Sequence, residues 1–216
     1  MTLQREEKTL FKFKMLASAA AIITSASLAF ADTWTLNGEA SHLAFGSIKK
    51  ESFGEVHSFS GLSGSVSPDG KVMLEIDLAT LDTQIEIRDE RMKKHVFNNT
   101  PKATVMAEIE MENVSELAVG DSTVVDAYGT VALAGNETEV FTEMFVMRLN
   151  EEQVLVTTNG MIMLNLEDFG LTKGIDMLMQ IAELPSITRA SPVTMRLIFD
   201  RTAKEAGLGQ KAPQGG

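Results

Sequence analysis

"KVMLEIDLATLDTQIEIRDERMKKHVFNNTPKATVMAEIEM", Lys71 to Met111, carries two kinds of order. Its two ends alternate strictly. Val72, Leu74, Ile76 and Leu78 share one face, with Met73, Glu75 and Asp77 on the other. After Pro101, Val105, Ala107, Ile109 and Met111 oppose Thr104, Met106, Glu108 and Glu110. A period of two with one apolar face is the signature of a half-buried antiparallel strand. Between these ends lies a charged block, about 85–97, in which Ile85, Met92 and Val96 fall on a helix-compatible stripe. Asp89–Lys93 and Glu90–Lys94 have the i,i+4 spacing of favourable helix pairs. This segment is expected to be helical. Thr83 stands at the turn before it, and Arg88 and Asp89 are placed to tie it to the sheet. It either forms a plain connection with a solvated face or covers one end of the sheet with Met92 and Phe97 turned inward.

The same alternation recurs outward from this stretch. "VVDAYGTVAL" sets Val125, Ala127, Gly129, Val131 and Leu133 against Asp126, Tyr128 and Thr130. "VTMRLIFD" sets Val193, Met195, Leu197 and Phe199 against Thr194, Arg196 and Asp200. Further strands are expected at about 33–37, 42–49, 55–66, 138–149 and 153–165. Turn signals separate several of them: SPDG at 67–70, AVGD at 118–121, AGNE at 134–137 and LNEE at 149–152. A second helix is expected from Gly174 to Leu184, with Ile175, Leu178, Met179 and Ala182 on one face and Pro185 as its stop. Eight or nine short strands joined mainly by hairpins specify an all-β domain, either a sandwich or a closed antiparallel barrel of about eight strands, with one or two short helices.

The N-terminus is set apart from this pattern. Arg5, Lys8, Lys12 and Lys14 precede an Ala-rich apolar run that ends in Ala29-Phe30-Ala31, an A-x-A cleavage signature. Residues 1–31 therefore read as a secretory signal peptide, shorter in its apolar run than the ~20 residues of a membrane span. Residues 32–202 form the domain, and 203–216 lack periodicity and read as a disordered tail. Export places the protein in the periplasm. The whole chain has 19 Lys plus Arg and 30 Asp plus Glu. Loss of the leader leaves 15 and 28, a formal charge of −13. Such a surface repels phosphate backbones, which argues against nucleic-acid partners, and also repels anionic membranes. The chain has no cysteine, which excludes a disulfide framework, a thiol nucleophile and Cys-ligated metal.

Catalytic signatures are lacking as well. His42, His57 and His95 show no i,i+2 or i,i+4 spacing, so only a metal site assembled from distant strands stays open, and none is assigned. GLSGS at 61–65 lacks the last glycine of a nucleophile elbow and its strand–turn–helix context. No catalytic residue and no cofactor is assigned. Small residues on inward faces, Ala107, Ala127 and Gly129, leave space inside a barrel, and 13 methionines suit an adaptable apolar surface. An internal apolar cavity and an ordinary Met-rich core both fit these facts.

The block from Ile76 to Val105 resembles the YceI-like family, polyisoprenoid-binding proteins of extended lipocalin-like fold. The matching positions are Ile76-Asp77, Thr83, Arg88-Asp89, Met92, Phe97 and Pro101. WTLNGEASHLAFGSIKK, EVHSFSGLSGSVSPDG and LNLEDFGL agree in order and spacing, so the resemblance spans about 33–200. The chain departs from the family pattern at Ser41-His42, at Thr100 and in LAGNETEV. The resemblance implies a closed lipocalin-like barrel that holds a long-chain isoprenoid, polyprenyl or quinone-like, or a similar apolar lipid, for transport or storage. An enzyme or redox partner acting on such lipids is the alternative. Transient membrane contact and a homodimer are compatible with it. Alternation nominates the pocket residues: Phe45, Phe59, Leu74, Ile76, Val105, Ala107, Ala127, Gly129, Val131, Phe145, Met195 and Leu197.

Overall fold

The last long strand organises the molecule. In the computed structural model, which describes residues 33–202, β12 runs for 13 residues, Ala190–Thr202. One of its edges pairs with β10 (Gln153–Thr158) and then β11 (Ile162–Asn165). The other pairs with β1 (Thr33–Leu36) and then β2 (His42–Lys49). The remaining strands are β3 (Phe53–Phe59), β4 (Leu62–Val66), β5 (Lys71–Asp77), β6 (Leu81–Asp82), β7 (Lys102–Ile109), β8 (Ser122–Leu133) and β9 (Asn136–Arg148). Pairing follows β1-β4-β5-β7-β8-β9-β10-β12, and β12 returns to β1. The result is a closed, fully antiparallel barrel of eight strands. β2, β3 and β6 continue the walls beyond the ring. The expected leader and tail lie outside the described residues.

Two stretches expected as single strands, 55–66 and 153–165, are each divided in two. The breaks fall at Ser60–Gly61 and around Asn159–Gly160. They let one wall change partners: β3 pairs with β2 and β6, whereas β4 pairs with β1 and β5. Gly61 is required at its break, because a Cβ there would lie 2.7 Å from Thr80 Cγ2. The matching jog between β1 and β2 is held by Ser41. Its buried hydroxyl donates to the Asn37 carbonyl at 2.7 Å and accepts from the Ile198 N–H at 3.0 Å. That N–H belongs to β12, so Ser41 replaces a missing ladder bond.

The charged block forms α1 (Glu86–Arg91), which runs into a π-helical turn at Met92–Val96. Asn98 and Asn99 follow at φ 53° and 55°, a left-handed conformation that Asn tolerates and that stops the helix before Pro101. The Asp89–Lys93 and Glu90–Lys94 pairs expected from the spacing are not among the ion pairs of the described residues. Asp89 instead accepts from the Thr83 N–H at 2.9 Å and from the Thr83 hydroxyl, and Thr83 is almost wholly buried. The carboxylate closes the turn that enters the helix. A short α2 (Glu112–Ser115), not anticipated, follows β7.

The C-terminal helix α3 (Thr172–Ile181) begins two residues earlier than its periodicity suggested and buries Gly174, Ile175 and Leu178. It lies across the π turn. Gly174 permits this contact: a Cβ would stand 2.2 Å from the His95 carbonyl oxygen and 2.6 Å from Val96 Cα. Met92, Val96, Phe97, Leu171, Ile175 and Leu178 join the barrel residues Phe59, Leu74, Ile76 and Leu197 in one buried cluster. The two helices thus form an apolar cover on the barrel. Helix propensity alone predicts that Gly174→Ala stabilises by about 1 kcal/mol. The close backbone approach predicts the opposite, a loss of about 1–3 kcal/mol, and urea denaturation of the two proteins reads the sign.

Candidate functional site

The inward faces do not meet at the centre of the barrel. They surround a cavity of about 560 Å³. Val72, Leu74 and Ile76 on β5, Val105, Ala107 and Ile109 on β7, Val125 to Val131 on β8, and Val193 to Phe199 on β12 all line it at alternate positions. Several lining residues, including Val105, Ala107, Gly129, Val131, Val193 and Met195 on these strands and Val156 on β10, are half-buried although they point inward. A filled core would have covered them. The helical cover contributes Met92, Val96, Phe97, Leu171, Ile175 and Leu178 to the same lining.

Eleven of the twelve residues nominated from alternation line the cavity: Phe45, Phe59, Leu74, Ile76, Val105, Ala107, Ala127, Gly129, Val131, Met195 and Leu197. Phe145 does not. On β9 the lining positions are Val140, Thr142, Met144 and Val146, so Phe145 belongs to the outer face. Glu137, Glu139 and Glu143 share its parity and carry the signal that places it there. Gly129 also has a role other than leaving room. A Cβ there would lie 2.8 Å from Ala107 Cβ and 2.7 Å from the Met106 carbonyl oxygen, so the glycine lets β7 and β8 approach. The methionine argument is narrower than composition suggested. Met92, Met111, Met144 and Met195 line the cavity, but Met73, Met106, Met161, Met163 and Met177 are exposed.

One end of the cavity differs from the rest. Ser47 and Lys49 on β2, Glu55 and His57 on β3, and Arg88 and Arg91 on α1 all line it. None of these was nominated as a pocket residue from the sequence, although His57 alternates with Phe59 as an inward polar group would, Glu55 shares that parity, and Ser47 and Lys49 continue the parity of Phe45. Glu55 Oε1 accepts from Lys49 Nζ at 2.7 Å and from an Arg88 terminal nitrogen at 2.6 Å. Arg88 also donates to the Thr83 carbonyl, which fixes α1 against the wall. Ile85 and Ile87 line the same end and are about half exposed, 46% and 51%. The cavity therefore opens between α1, the β2–β3 hairpin and the segment leading into β12.

His57 is 3% exposed. Its Nε2 lies 3.1 Å from Ser47 Oγ, its ring is 5.1 Å from that of Phe45, and its Nδ1 has no protein partner. Burial, helped by the nearby Arg88 charge, pushes its pKa below the ordinary histidine value. Burial raises the Glu55 carboxyl, but the hydrogen bonds from Lys49 and Arg88 outweigh it and hold it below the ordinary carboxylate value. His42 is exposed and outside the lining, and His95 lends its carbonyl to the Gly174 contact. Among the described residues, no cluster of His, Asp and Glu has the grouping of a metal site.

An eight-stranded barrel with an apolar interior and a helical cover defines the class to which this chain belongs. A model of the YceI-like domain matches residues 34–197, and the chain is a member of that family. A polyisoprenoid binding domain from Saccharophagus degradans, implicated in plant cell wall breakdown, is 32% identical. That match covers 78% of this chain and 98% of that one, with a TM-score of 0.76. BcnA of Burkholderia cenocepacia shares the fold at 16% identity and a TM-score of 0.58, over 76% of this chain and 98% of its own. No curated protein matches the chain.

The two perturbed groups give the stability a defined pH dependence. The unfolded chain protonates His57 near 6.5 while the folded chain resists, so folding stability falls as pH drops below that value. Glu55 adds a second loss as pH falls below 4.5 toward its lower folded value. Urea midpoints should be nearly flat between about pH 7 and 8 and decline below. In His57→Gln the decline should begin at lower pH. An onset unchanged by that substitution would contradict the assignment.

Proposed function

We propose that this protein is a periplasmic carrier that holds one long apolar lipid, of isoprenoid type, inside its barrel. The carrying observation is the cavity. Its volume is within the ~300–1,000 Å³ usual for small-molecule sites, and its lining is mainly apolar, with charged groups only at the open end. A polyprenyl chain offers no hydrogen-bonding groups along its length. A wall of Val, Leu, Ile, Ala and Met recognises it by shape and apolar area, at about 0.8 kcal/mol for each methylene buried. The similarity to a polyisoprenoid binding domain supports the same ligand class. The export signal read at residues 1–31 supports the periplasm, where an acidic exterior keeps a lipid-loaded protein dispersed.

The walls assign the ligand contacts. The eleven nominated residues that line the cavity should touch the chain, together with Met92, Phe97 and Leu178 from the cover. Val131→Phe tests this, because the added ring enters empty space rather than a packed core. Delipidated protein titrated with a fluorescent polyprenyl analogue should bind it, and Val131→Phe should weaken binding about tenfold or more, corresponding to roughly two displaced methylene contacts. Circular dichroism should show the barrel unchanged. Equal affinity in the variant would mean that the probe sits elsewhere.

A further inference from the structure

We propose that the apolar rim of the cavity opening is a membrane-docking surface, which seats the mouth of the barrel on a lipid leaflet so that ligand passes between bilayer and cavity without crossing water. The inference rests on the carrier reading and adds the surface at which the carrier works. Three segments bound the opening and are tied together. Glu55 joins Lys49 on the β2–β3 hairpin to Arg88 on α1. The Thr188 N–H donates to the Ile48 carbonyl at 2.9 Å, and the Lys50 N–H to the Ser186 carbonyl at 3.1 Å, which holds the stretch after α3 against the hairpin. This braced rim carries Ile48, Phe53 and Val56 on the hairpin, Ile85 and Ile87 at the start of α1, and Ile181 at the end of α3, all of them exposed. Phe53 is 59% exposed and Val56 68%. Phe53 shares the inward parity of Glu55, whereas Ile48 and Val56 have the outward one, so the hairpin end is apolar on both faces. Large apolar side chains gathered in water mark a binding surface.

Charge decides what covers it. Residues 48–56, 85–95 and 181–189, which bound the opening, hold seven Lys and Arg against six Asp and Glu. The other described residues hold six against twenty. Exposed charges farther off than the Debye length, ~10 Å at 0.1 M salt, are largely screened, so a leaflet at the opening meets the balanced end of an acidic protein. A second exposed apolar patch lacks this property. Met73, Met106, Tyr128 and Phe141 are neighbours on the outer face of β5, β7, β8 and β9, but Glu108, Asp126, Glu139, Glu143 and Lys71 surround them on that face, and an anionic leaflet would be repelled there. The ligand imposes the same choice. Each methylene moved into water disfavours release by about fourfold, so a polyprenyl chain needs an apolar phase at the mouth. Apolar side chains sunk to the headgroup boundary, with cations beside them, are how a protein lies on such a surface.

The test is sedimentation of the mature protein with vesicles of phosphatidylethanolamine and phosphatidylglycerol, alongside binding of a fluorescent polyprenyl analogue in vesicle-free solution. The protein should co-sediment. Phe53→Ser should lower its partition about tenfold, as loss of one aromatic side chain from a leaflet implies. It should keep the wild-type affinity for the analogue, because Phe53 is outside the cavity lining. In Phe53→Trp, brominated acyl chains should quench the new indole and spare Trp34, which pairs with Arg201 at the end of β12 remote from the opening. Phe141→Ser, in the acidic patch, should bind vesicles as the wild type does. No co-sedimentation, equal partition of Phe53→Ser, or a loss confined to Phe141→Ser overturns the docking surface, and analogue binding retained in those cases leaves the carrier standing. A dimer that Phe53→Ser dissolves, with no vesicle binding, also overturns it and assigns the rim to a second copy. Rim insertion without analogue uptake upholds the docking surface and overturns the carrier alone.

Discussion

The structure depends on a single strand being long enough to close the ring. Thirteen residues of β12 provide two edges, each shared between two successive partners: β10 and β11 on one side, β1 and β2 on the other. If it were shorter, either the ring would stay open at β1 or the β2–β3 wall would lose its attachment. Closure also gives each of the eight ring strands a partner on both sides, where an open sheet would leave two edges unpaired. The interruptions at Asn37–Ser41 and Ser60–Gly61 belong to the same solution. They shift the register where the closed ring gives way to the wall that carries Lys49, Glu55 and His57.

A ring of eight strands is near the size at which the interior either fills with side chains or holds one ligand. Here Val and Ala dominate the middle of β7 and β8, with Gly129 drawing the two strands together, and the walls stop short of each other. The larger side chains gather toward the helical cover, where Phe45 and Phe59 stack at 5.4 Å and Phe59 meets Phe97 at 6.1 Å. The cover itself is fixed by backbone contact at Gly174 and by the Thr83–Asp89 turn. The packed cluster and the cavity share a boundary: Phe59, Met92, Phe97, Ile175 and Leu178 belong to the buried core and also line the empty space.

Much of this was legible residue by residue. Val72 to Leu78, Val105 to Met111, Val125 to Leu133 and Val193 to Phe199 alternate so cleanly that their inward faces follow from the pleat alone. Phe145 was hard to place because β9 carries apolar residues on both faces, and only the glutamates that share its parity, Glu137, Glu139 and Glu143, mark the outside. The charged opening was illegible for another reason. Lys49, Glu55 and Arg88 come from three elements, and only ring closure brings them together. Charged residues at strand ends ordinarily read as solvated. Gly174 looked like a helix start, whereas its role as a crossing point depends on where the π turn lies. The helix-forming character of the charged block was visible in its stripe. That Asp89 would serve Thr83 rather than Lys93 was not, because both partners satisfy the same carboxylate locally.

The central claim is that the closed barrel keeps an apolar cavity for one long lipid. Its most direct test is mass spectrometry of the organic extract from mature protein purified natively, without detergent and without added lipid. The account predicts a long-chain isoprenoid lipid near one equivalent per protein, absent from the extract of the Val131→Phe variant or strongly reduced there. An extract free of lipid, from protein that also fails to take up a polyprenyl probe, would contradict it.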